Sequence, residues 1–246
     1  MISNVVIAVL AGNIGSVGVA ALMLKLDRQR LTKLTKHINA FAGGTLLGAA
    51  FLGMLPNAIK MGGFPMSYTV LVGILFFFLI EKIMLWRICS DENCNRHSKA
   101  GALMLMIGDS FHNFLDGIVI AAAFLHSAPF GFIVAISVFA HEIPQEIADF
   151  GVMIKAGFDK KKALLYNLFS GLTAIVGALL SWYAGVYTKM ALPYILSLSA
   201  AGFIYIALAD LIPDLHRKTA AKQSLIQFFF LLSGITVIIL SIITKP

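Results

Sequence analysis

Eight apolar segments follow one another along this chain, and each is long enough to cross a lipid bilayer as a helix. A spanning helix needs about 20 apolar residues, and backbone polar groups in hydrocarbon must find partners within the protein. The connections between the segments are too short to form a soluble domain. We therefore predict an all-α integral membrane protein with a single transmembrane domain over residues 1–246 and spans at about 3–24, 38–59, 66–86, 100–125, 129–154, 162–187, 191–213 and 225–243.

Composition and charge placement indicate the same class of protein. Hydrophobic residues make up 59% of the chain and charged residues 13%, which leaves too little polar surface to cover a soluble globule. The net charge of +7 would suit nucleic acid, but sixteen of the nineteen Lys and Arg residues lie in or beside alternate connections. This alternation follows the positive-inside rule, so we predict both termini outside the cytoplasm and no nucleic-acid partner. The first segment lacks a preceding basic region and a cleavage motif, which predicts a retained helix rather than a signal peptide.

Two cysteines lie in the third connection, which this orientation places in the cytoplasm. Cys89 and Cys94 are separated by four residues, with Asp91, Glu92 and His97 nearby. One interpretation is a transient metal-capture site. We favour the other, two incidental reduced cysteines, because two cysteines alone are a weak zinc signature.

Small residues are concentrated in three segments of the chain, 42–50, 171–178 and 197–202. Residues without bulky side chains let helix backbones approach one another closely in a membrane. We expect these segments to serve helix packing. Gly117, which directly follows Asp116, is expected to allow a similar close approach.

Polar side chains interrupt the fourth and fifth spans at positions that helical periodicity places on one side of each helix. The fourth span carries them at i, i+3, i+4 and i+7: Asp109, His112, Asn113 and Asp116. The fifth span carries a broader stripe: His141, Glu142, Gln145, Glu146 and Asp149. Two neighbouring helices that face each other with these stripes would enclose imidazole nitrogens together with carboxyl and amide oxygens.

Burial of these groups in hydrocarbon is costly unless a cation accompanies them. No Lys or Arg lies between Lys99 and Lys155, so the protein itself supplies no permanent counter-charge in these two spans. A divalent ion would supply it, and imidazole with carboxylate and amide oxygens suits zinc, iron(II), manganese or cadmium. We predict no cofactor other than this transported ion, and seven metal-binding candidates: His112, Asn113, Asp116, His141, Glu142, Gln145 and Glu146.

Two kinds of membrane metalloenzyme use related residues and stay open as alternatives. The sequence from His141 to Gln145 nearly spells the H-E-x-x-H helix of a zinc protease, but its second histidine is a glutamine and Pro144 disturbs the helix. A di-metal oxidoreductase would need a fuller set of paired Glu-x-x-His ligands, which the chain lacks. We therefore predict a transporter rather than an enzyme.

The polar spans resemble a known family of transporters. GDSFHNFLDGIVIAAAF and FAHEIPQEIADFGVM resemble the fourth and fifth spans of ZIP (ZRT/IRT-like) metal transporters, in particular the LIV-1-like branch with its HNFxDG and HEIPHE motifs. FAGGTLLGAAFLGMLPNA, YNLFSGLTAIVGALL and SAAGFIYIALADLIPDL resemble the second, sixth and seventh spans. The resemblance implies eight helices in a 3+2+3 arrangement with inverted repeats, often as a homodimer. It also leads us to expect a minimal form without the large extracellular domain of many animal members.

The resemblance carries over to particular positions of this chain. It implies a primary metal site formed by His112, Asp116, His141 and Gln145. It implies contributions to an adjacent second site, with Asp116 as the bridge, from Asn113, Asp116, Glu142 and Gln145. Two departures argue against a second ion, although one and two ions both stay open. Gln145 replaces a His or Glu, which lowers the nitrogen content and favours harder ions than zinc, and Ala174 replaces a glutamate found in members with two metals.

The resulting hypothesis is uptake of a divalent cation, zinc in first place, across the plasma membrane into the cytoplasm by alternating access. The fourth and fifth helices would carry the ion as part of a bundle that moves against a scaffold. Asp109 and Asp149 lie about one turn inward of the predicted ligands His112 and Gln145. We expect both acids to line the transport pathway, where they receive the ion or shuttle protons. For Asp149, capping or interhelical hydrogen bonding stays open as an alternative.

Overall fold

The chain is built from α-helices, as predicted. A computed structural model describes residues 2–23, 25–26, 28–88, 99–215 and 221–243, and no β-strand occurs in these ranges. The helices are α1 (Ile2–Met23), α2 (Arg28–Gly48), α3 (Leu55–Gly62), α4 (Pro65–Ile88), α5 (Lys99–His126), α6 (Ala128–Lys155), α7 (Lys160–Ile206), α8 (Ile212–Leu215) and α9 (Ala221–Ile243). Outside the described residues lie Cys89, Asp91, Glu92, Cys94 and His97.

Helices long and apolar enough to cross a membrane account for most of the fold. Within the described ranges there are seven such segments: Ile2–Met23, Lys33–Gly62, Pro65–Ile83, Ala128–Ile154, Lys160–Thr188, Met190–Ala209 and Gln223–Leu240. The remaining predicted span falls in α5, which has 28 residues and is about 42 Å long. Large apolar side chains such as Phe76 on α4 and Phe229 on α9 are exposed, as expected for surfaces that face lipid. The membrane class is confirmed, and the count of eight spans stays a prediction.

Two π-helical segments interrupt the helical hydrogen bonding, and the sequence pattern did not predict either one. They cover Ala49–Met54, between α2 and α3, and Ala207–Leu211, between α7 and α8. At the end of each segment a backbone N–H bonds five residues back, from Leu55 to Ala50 and from Ile212 to Ala207. In both cases the next residue is a proline, which has no N–H to donate. The wider turn thus occurs where the regular α-helical ladder is already broken.

Two membrane-spanning helices are joined at a kink in the long helix α7. Gly185 has φ 32° and ψ −82°, outside the helical range, and it divides the run into the predicted sixth and seventh spans. The Thr188 hydroxyl donates across the kink to the Ser181 carbonyl oxygen at 2.7 Å. The predicted division after residue 187 was thus close to the observed one.

Replacement of Gly185 by alanine is expected to destabilise the protein by about 1–2 kcal/mol, because L side chains disfavour this positive φ. No atom lies within 4 Å of the position that a Cβ would take, so the cost is backbone strain alone. Thermal unfolding of the purified chain in detergent measures it. The matched control is Gly18→Ala, which adds the same methyl group in open space on α1 and is expected to stabilise slightly. Equal melting temperatures for the two variants would contradict this account.

Glycine residues bring two pairs of helices into backbone contact. A Cβ on Gly117 of α5 would lie 1.9 Å from the Ala174 carbonyl oxygen of α7, and a Cβ on Gly177 would lie 2.0 Å from the Phe114 carbonyl oxygen. We call this contact the α5–α7 seam. A similar contact joins α2 to α9, where a Cβ on Gly44 would lie 2.1 Å from the Leu231 carbonyl oxygen. Only glycine fits at such positions, which confirms the packing role predicted for Gly117 and for the segments 42–50 and 171–178.

Candidate metal centre

The polar stripes lie on two helices that are joined almost directly. α5 ends at His126 and α6 begins at Ala128, and the single residue between them, Ser127, caps α6 by accepting a hydrogen bond from the Phe130 N–H at 3.3 Å. So short a connection makes the two helices antiparallel neighbours. His112 lies 14 residues before the end of α5 (126 − 112) and His141 lies 13 residues after the start of α6 (141 − 128). Because both helices rise equally per residue, the two histidines lie at the same level.

Four of the predicted ligands converge at this level. They are His112, Asp116, His141 and Glu142, and one ligand atom of each lies within 4.8 Å of all the others. Nε2 of His112 is 3.1 Å from Nε2 of His141, 3.6 Å from Asp116 Oδ2 and 3.7 Å from Glu142 Oε1. Nε2 of His141 is 3.2 Å from Asp116 Oδ2 and 3.5 Å from Glu142 Oε1.

These distances have the size of the edges of a metal coordination tetrahedron. Zinc ligands at about 2.0–2.1 Å from the ion in tetrahedral geometry are separated by about 3.3 Å. Five of the six edges of the group lie between 3.1 and 3.7 Å. The group therefore offers two nitrogens and two oxygens with the spacing that a zinc ion requires.

The hydrogen bond on the far side of the His141 ring prepares this residue to bind a metal. Nδ1 lies 3.1 Å from the carbonyl oxygen of Ser137, one turn earlier on α6. A carbonyl oxygen can only accept, so this hydrogen bond needs a proton on Nδ1, and in the neutral ring Nε2 then has its lone pair free for a metal. A backbone carbonyl in this position is the usual way to fix the orientation of a metal-binding histidine. No sequence pattern indicated this role of Ser137.

The carboxylates of the group lack the partners that buried charges need. Glu142 is 1% exposed and Asp116 4% exposed. Within the described part of the chain, both carboxylate oxygens of Glu142 and Oδ2 of Asp116 have no hydrogen-bond donor. Buried carboxylates without hydrogen-bond donors are strongly unfavourable, and a divalent cation among these oxygens would remove the penalty. The donor set therefore fits a cation as its missing partner.

The other three predicted ligands are two amides, Asn113 and Gln145, and one carboxylate, Glu146. The amide nitrogens of Asn113 and Gln145 donate to Oδ1 of Asp109, at 3.2 and 2.6 Å. Glu146 is buried on α6, and neither of its carboxylate oxygens has a hydrogen-bond partner among the described residues. Asp149, one of the two predicted pathway acids, is also buried on α6.

Two residues of α7 complete the surroundings of the site. The Ser170 hydroxyl donates a hydrogen bond to Oδ2 of Asp109, the other predicted pathway acid. Ser170 directly precedes the small-residue segment 171–178, and no sequence pattern indicated a function for it. Ala174 is 1% exposed and belongs to the α5–α7 seam. Tight backbone packing therefore fills this position, at which the resemblance implied a glutamate for members with two metals.

Comparisons with known proteins identify the family. The sequence profile described as "ZIP Zinc transporter" matches residues 87–242. Zinc transporter ZIP13 of Pongo abelii is 31% identical over 221 residues, which are 83% of this chain and 66% of that protein. Zinc transporter ZIP10 of Danio rerio is 36% identical over 146 residues, which are 56% of this chain and 17% of that protein. Zinc transporter zipt-7.2 of Caenorhabditis elegans is 29% identical over 264 residues, which are 82% of this chain and 57% of that protein.

The alignments span less than two thirds of the length of these relatives, from 17% to 66%. The profile nevertheless covers well over half of this chain, including all of α5 and α6. Both polar stripes and the group of four fall inside the matched region. The chain belongs to the ZIP zinc transporter family.

Proposed function

We propose that this chain transports a divalent cation, zinc in first place, across the plasma membrane into the cytoplasm. The observation that carries the proposal is the group formed by His112, Asp116, His141 and Glu142, in which four buried donors from two helices have the spacing of a zinc tetrahedron. Membership of the ZIP family supports it, because the relatives above are named zinc transporters. Iron(II), manganese and cadmium suit the same donors and are the competing cargoes.

The proposed site differs from the one that resemblance alone implied. We place the Glu142 carboxylate in the primary site with His112, Asp116 and His141, whereas the resemblance implied Gln145 as their fourth partner. A carboxylate suits this place better than an amide, because it adds charge that offsets the charge of the ion. Of the other candidates, Asn113 keeps a buried amide oxygen without a hydrogen-bond partner within the described ranges, and this oxygen remains a candidate for a further contact to the ion.

For the whole chain we propose eight spans in a 3+2+3 arrangement with inverted repeats and with both termini outside the cytoplasm. A π-helical segment directly before a proline occurs in the predicted second span and again in the seventh. These spans are equivalent members of the two triplets, which supports an internal repeat. We further propose a homodimer in which the helices of the site move by alternating access.

Transport of zinc by the purified full chain in liposomes tests the proposal. With a zinc-sensitive dye inside the vesicles, we expect a protein-dependent influx that saturates with zinc concentration and that cadmium competes for. In vesicles preloaded with unlabelled zinc, external labelled zinc is expected to accumulate transiently above equilibrium, because a carrier exchanges one ion for another and a channel does not. Influx equal to that of protein-free vesicles would contradict the proposal.

The metalloenzyme alternatives are not favoured. The relatives found are named transporters, and the H-E-x-x-H interpretation needs a histidine at the position of Gln145. The side chain that is present there bonds to Asp109. We expect no cleavage of membrane peptides and no turnover of lipids under conditions in which zinc is transported.

A further inference from the structure

A cavity of about 450 Å³ lies between α6 and the pair formed by α2 and α9. On α2 its lining residues recur at i, i+3, i+4 and i+7: Leu34, His37, Ile38 and Phe41. This spacing places them on one face of the helix, over about 10 Å of its length. The ring of His37 stacks on the ring of Phe230 of α9, with centroids 4.8 Å apart and an interplanar angle of 20°. Both rings line the cavity.

The lining residues on α6 follow the same spacing. They are Ile136, Phe139, Ala140 and Ile143. At about 100° per residue, Phe139 and Ile143 each lie about 160° from His141 around the helix. The cavity is therefore on the face of α6 opposite to the metal group. Two stripes of equal length that face each other enclose an elongated space, which runs along the helices.

The cavity opens on the outer surface of the helices. Leu34, Ile136 and Phe230 line it and are also exposed. All three belong to segments that are long and apolar enough to cross a membrane, so the hydrocarbon of the bilayer adjoins the opening. A cavity with an apolar lining does not hold water well, because water needs polar partners. Lipid chains are therefore the occupant that both the lining and the surroundings favour.

Basic residues lie at one end of the cavity. Lys33 and Lys36 belong to the same turn of α2 as Leu34, the first lining residue. Lys33 is exposed and Lys36 is half-buried, and the sequence of α2 contains no Asp or Glu. Lysines at a membrane boundary attract the headgroups of anionic lipids. The charges thus lie where a lipid whose chain fills the cavity would place its headgroup.

We propose that this cavity binds one acyl chain of an anionic phospholipid of the surrounding membrane, and that the lipid headgroup lies on Lys33 and Lys36. The chain runs along the spans, as acyl chains in a bilayer do, between α6 and the α2–α9 pair. It packs against the face of α6 opposite to His141. The position of the helix that carries His141 and Glu142 thereby depends on the lipid composition of the membrane. The inference goes beyond the proposed function, because the lipid site shares no residue with the metal group.

Native mass spectrometry of the purified full chain tests the acyl-chain part of the proposal. In detergent with equal amounts of phosphatidylglycerol and phosphatidylcholine, we expect the wild type to retain one phosphatidylglycerol per chain. Ile38→Trp places a larger apolar side chain in the cavity and should weaken retention by about 10-fold, as expected when about two methylene groups lose their burial. The matched control is Ile83→Trp, the same change at an exposed position of α4 outside the cavity. Equal retention by Ile38→Trp and the wild type would overturn the proposal.

Replacement of both lysines by glutamine tests the headgroup part separately. Lys33→Gln combined with Lys36→Gln should lower the preference for phosphatidylglycerol over phosphatidylcholine by about 5-fold for each lysine, while one lipid is still retained. The control is Lys160→Gln combined with Lys161→Gln, which removes the same two charges from the exposed start of α7. This control should keep the wild-type preference. An unchanged preference in the Lys33 and Lys36 variant would overturn the proposal, even if Ile38→Trp fails to fold.

The same mass spectra test the other occupant, a second copy of the chain. A second copy seated on the cavity predicts that Ile38→Trp loses the dimer and not the lipid, and that result would overturn the proposal. Lipid retention is measured without zinc, so its outcome is independent of transport. Zinc flux without selective retention of phosphatidylglycerol would leave transport standing and reject the lipid site.

Discussion

Replacement of Asp116 by alanine is expected to abolish zinc uptake and to weaken zinc binding by more than about 100-fold, beyond the loss that follows from removing an orienting residue. Oδ2 of Asp116 is 3.2 Å from Nε2 of His141 and 3.6 Å from Nε2 of His112. One carboxylate oxygen thus lies within ligand-to-ligand distance of both imidazoles. Its loss removes a donor and also one of the two negative charges that offset the charge of the ion. Zinc influx into liposomes and zinc binding by the purified chain measure the effect.

Thermal unfolding separates loss of the metal from loss of the fold. A ligand at 100 times its Kd stabilises the folded state by about 2.7 kcal/mol, so zinc should raise the melting temperature of the wild type. Asp116→Ala should show no such increase. The melting temperature of this variant without zinc reports the stability of the fold itself.

The matched control for a change in the metal group is His126→Ala. His126 is an exposed histidine at the end of α5, outside the group. We expect its replacement to leave zinc uptake at the wild-type level. An increase in melting temperature with zinc of wild-type size in Asp116→Ala would contradict the assignment of the site.

Replacement of Gly117 by alanine is expected to destabilise the protein by about 1–3 kcal/mol, although it adds only one methyl group. The new Cβ would lie 1.9 Å from the Ala174 carbonyl oxygen and 2.7 Å from the Ala174 carbonyl carbon. Backbone atoms cannot rotate out of the way as a side chain does, so α5 and α7 must separate. Separation also draws Ser170 away from Asp109, and we therefore expect zinc uptake to fall together with the melting temperature.

Gly12→Ala is the control for this second prediction. It makes the same chemical change on α1, where nothing lies within 4 Å of the new Cβ. Alanine is favoured over glycine in a helix by about 0.5–1 kcal/mol, so this variant should be slightly more stable than the wild type. Gly177→Ala, on the other side of the seam, should resemble Gly117→Ala. Wild-type stability in both seam variants would mean that the helices are not in backbone contact.

Helical periodicity in the sequence predicted which turns of α5 and α6 form the site, but it could not choose between two neighbouring ligands. At about 100° per residue, Gln145 lies about 40° from His141 around the helix, whereas Glu142 lies about 100° away. Angle alone thus favours Gln145. In the structure a carboxylate oxygen of Glu142 lies in the group of four, and the Gln145 amide nitrogen donates to Asp109. These contacts depend on which groups of the neighbouring helices a side chain can reach, and helical periodicity carries no information about that.

Hydropathy predicted the apolar centres of the helices better than their ends. α2 begins at Arg28, whereas hydropathy predicted the second span from residue 38. The additional turns carry the charged residues Lys33 and Lys36, which lower the hydropathy of this stretch. Their backbone groups still form helical hydrogen bonds, so the helix begins earlier than the apolar segment. The contact of Ser170 with Asp109 joins residues 61 positions apart. Such a contact follows from helix packing, and no local pattern predicts it.

The α5–α7 seam also determines how the site is prepared for an ion. Main-chain atoms touch main-chain atoms there, so the seam contains no rotatable side-chain bond through which it can relax. The Ser170 hydroxyl, one turn before Ala174, therefore meets Asp109 at a position set by two helix axes. The conformational entropy of Asp109 and Ser170 is lost when the protein folds, so little more is lost when a cation binds nearby. The arriving ion meets a preorganised cavity.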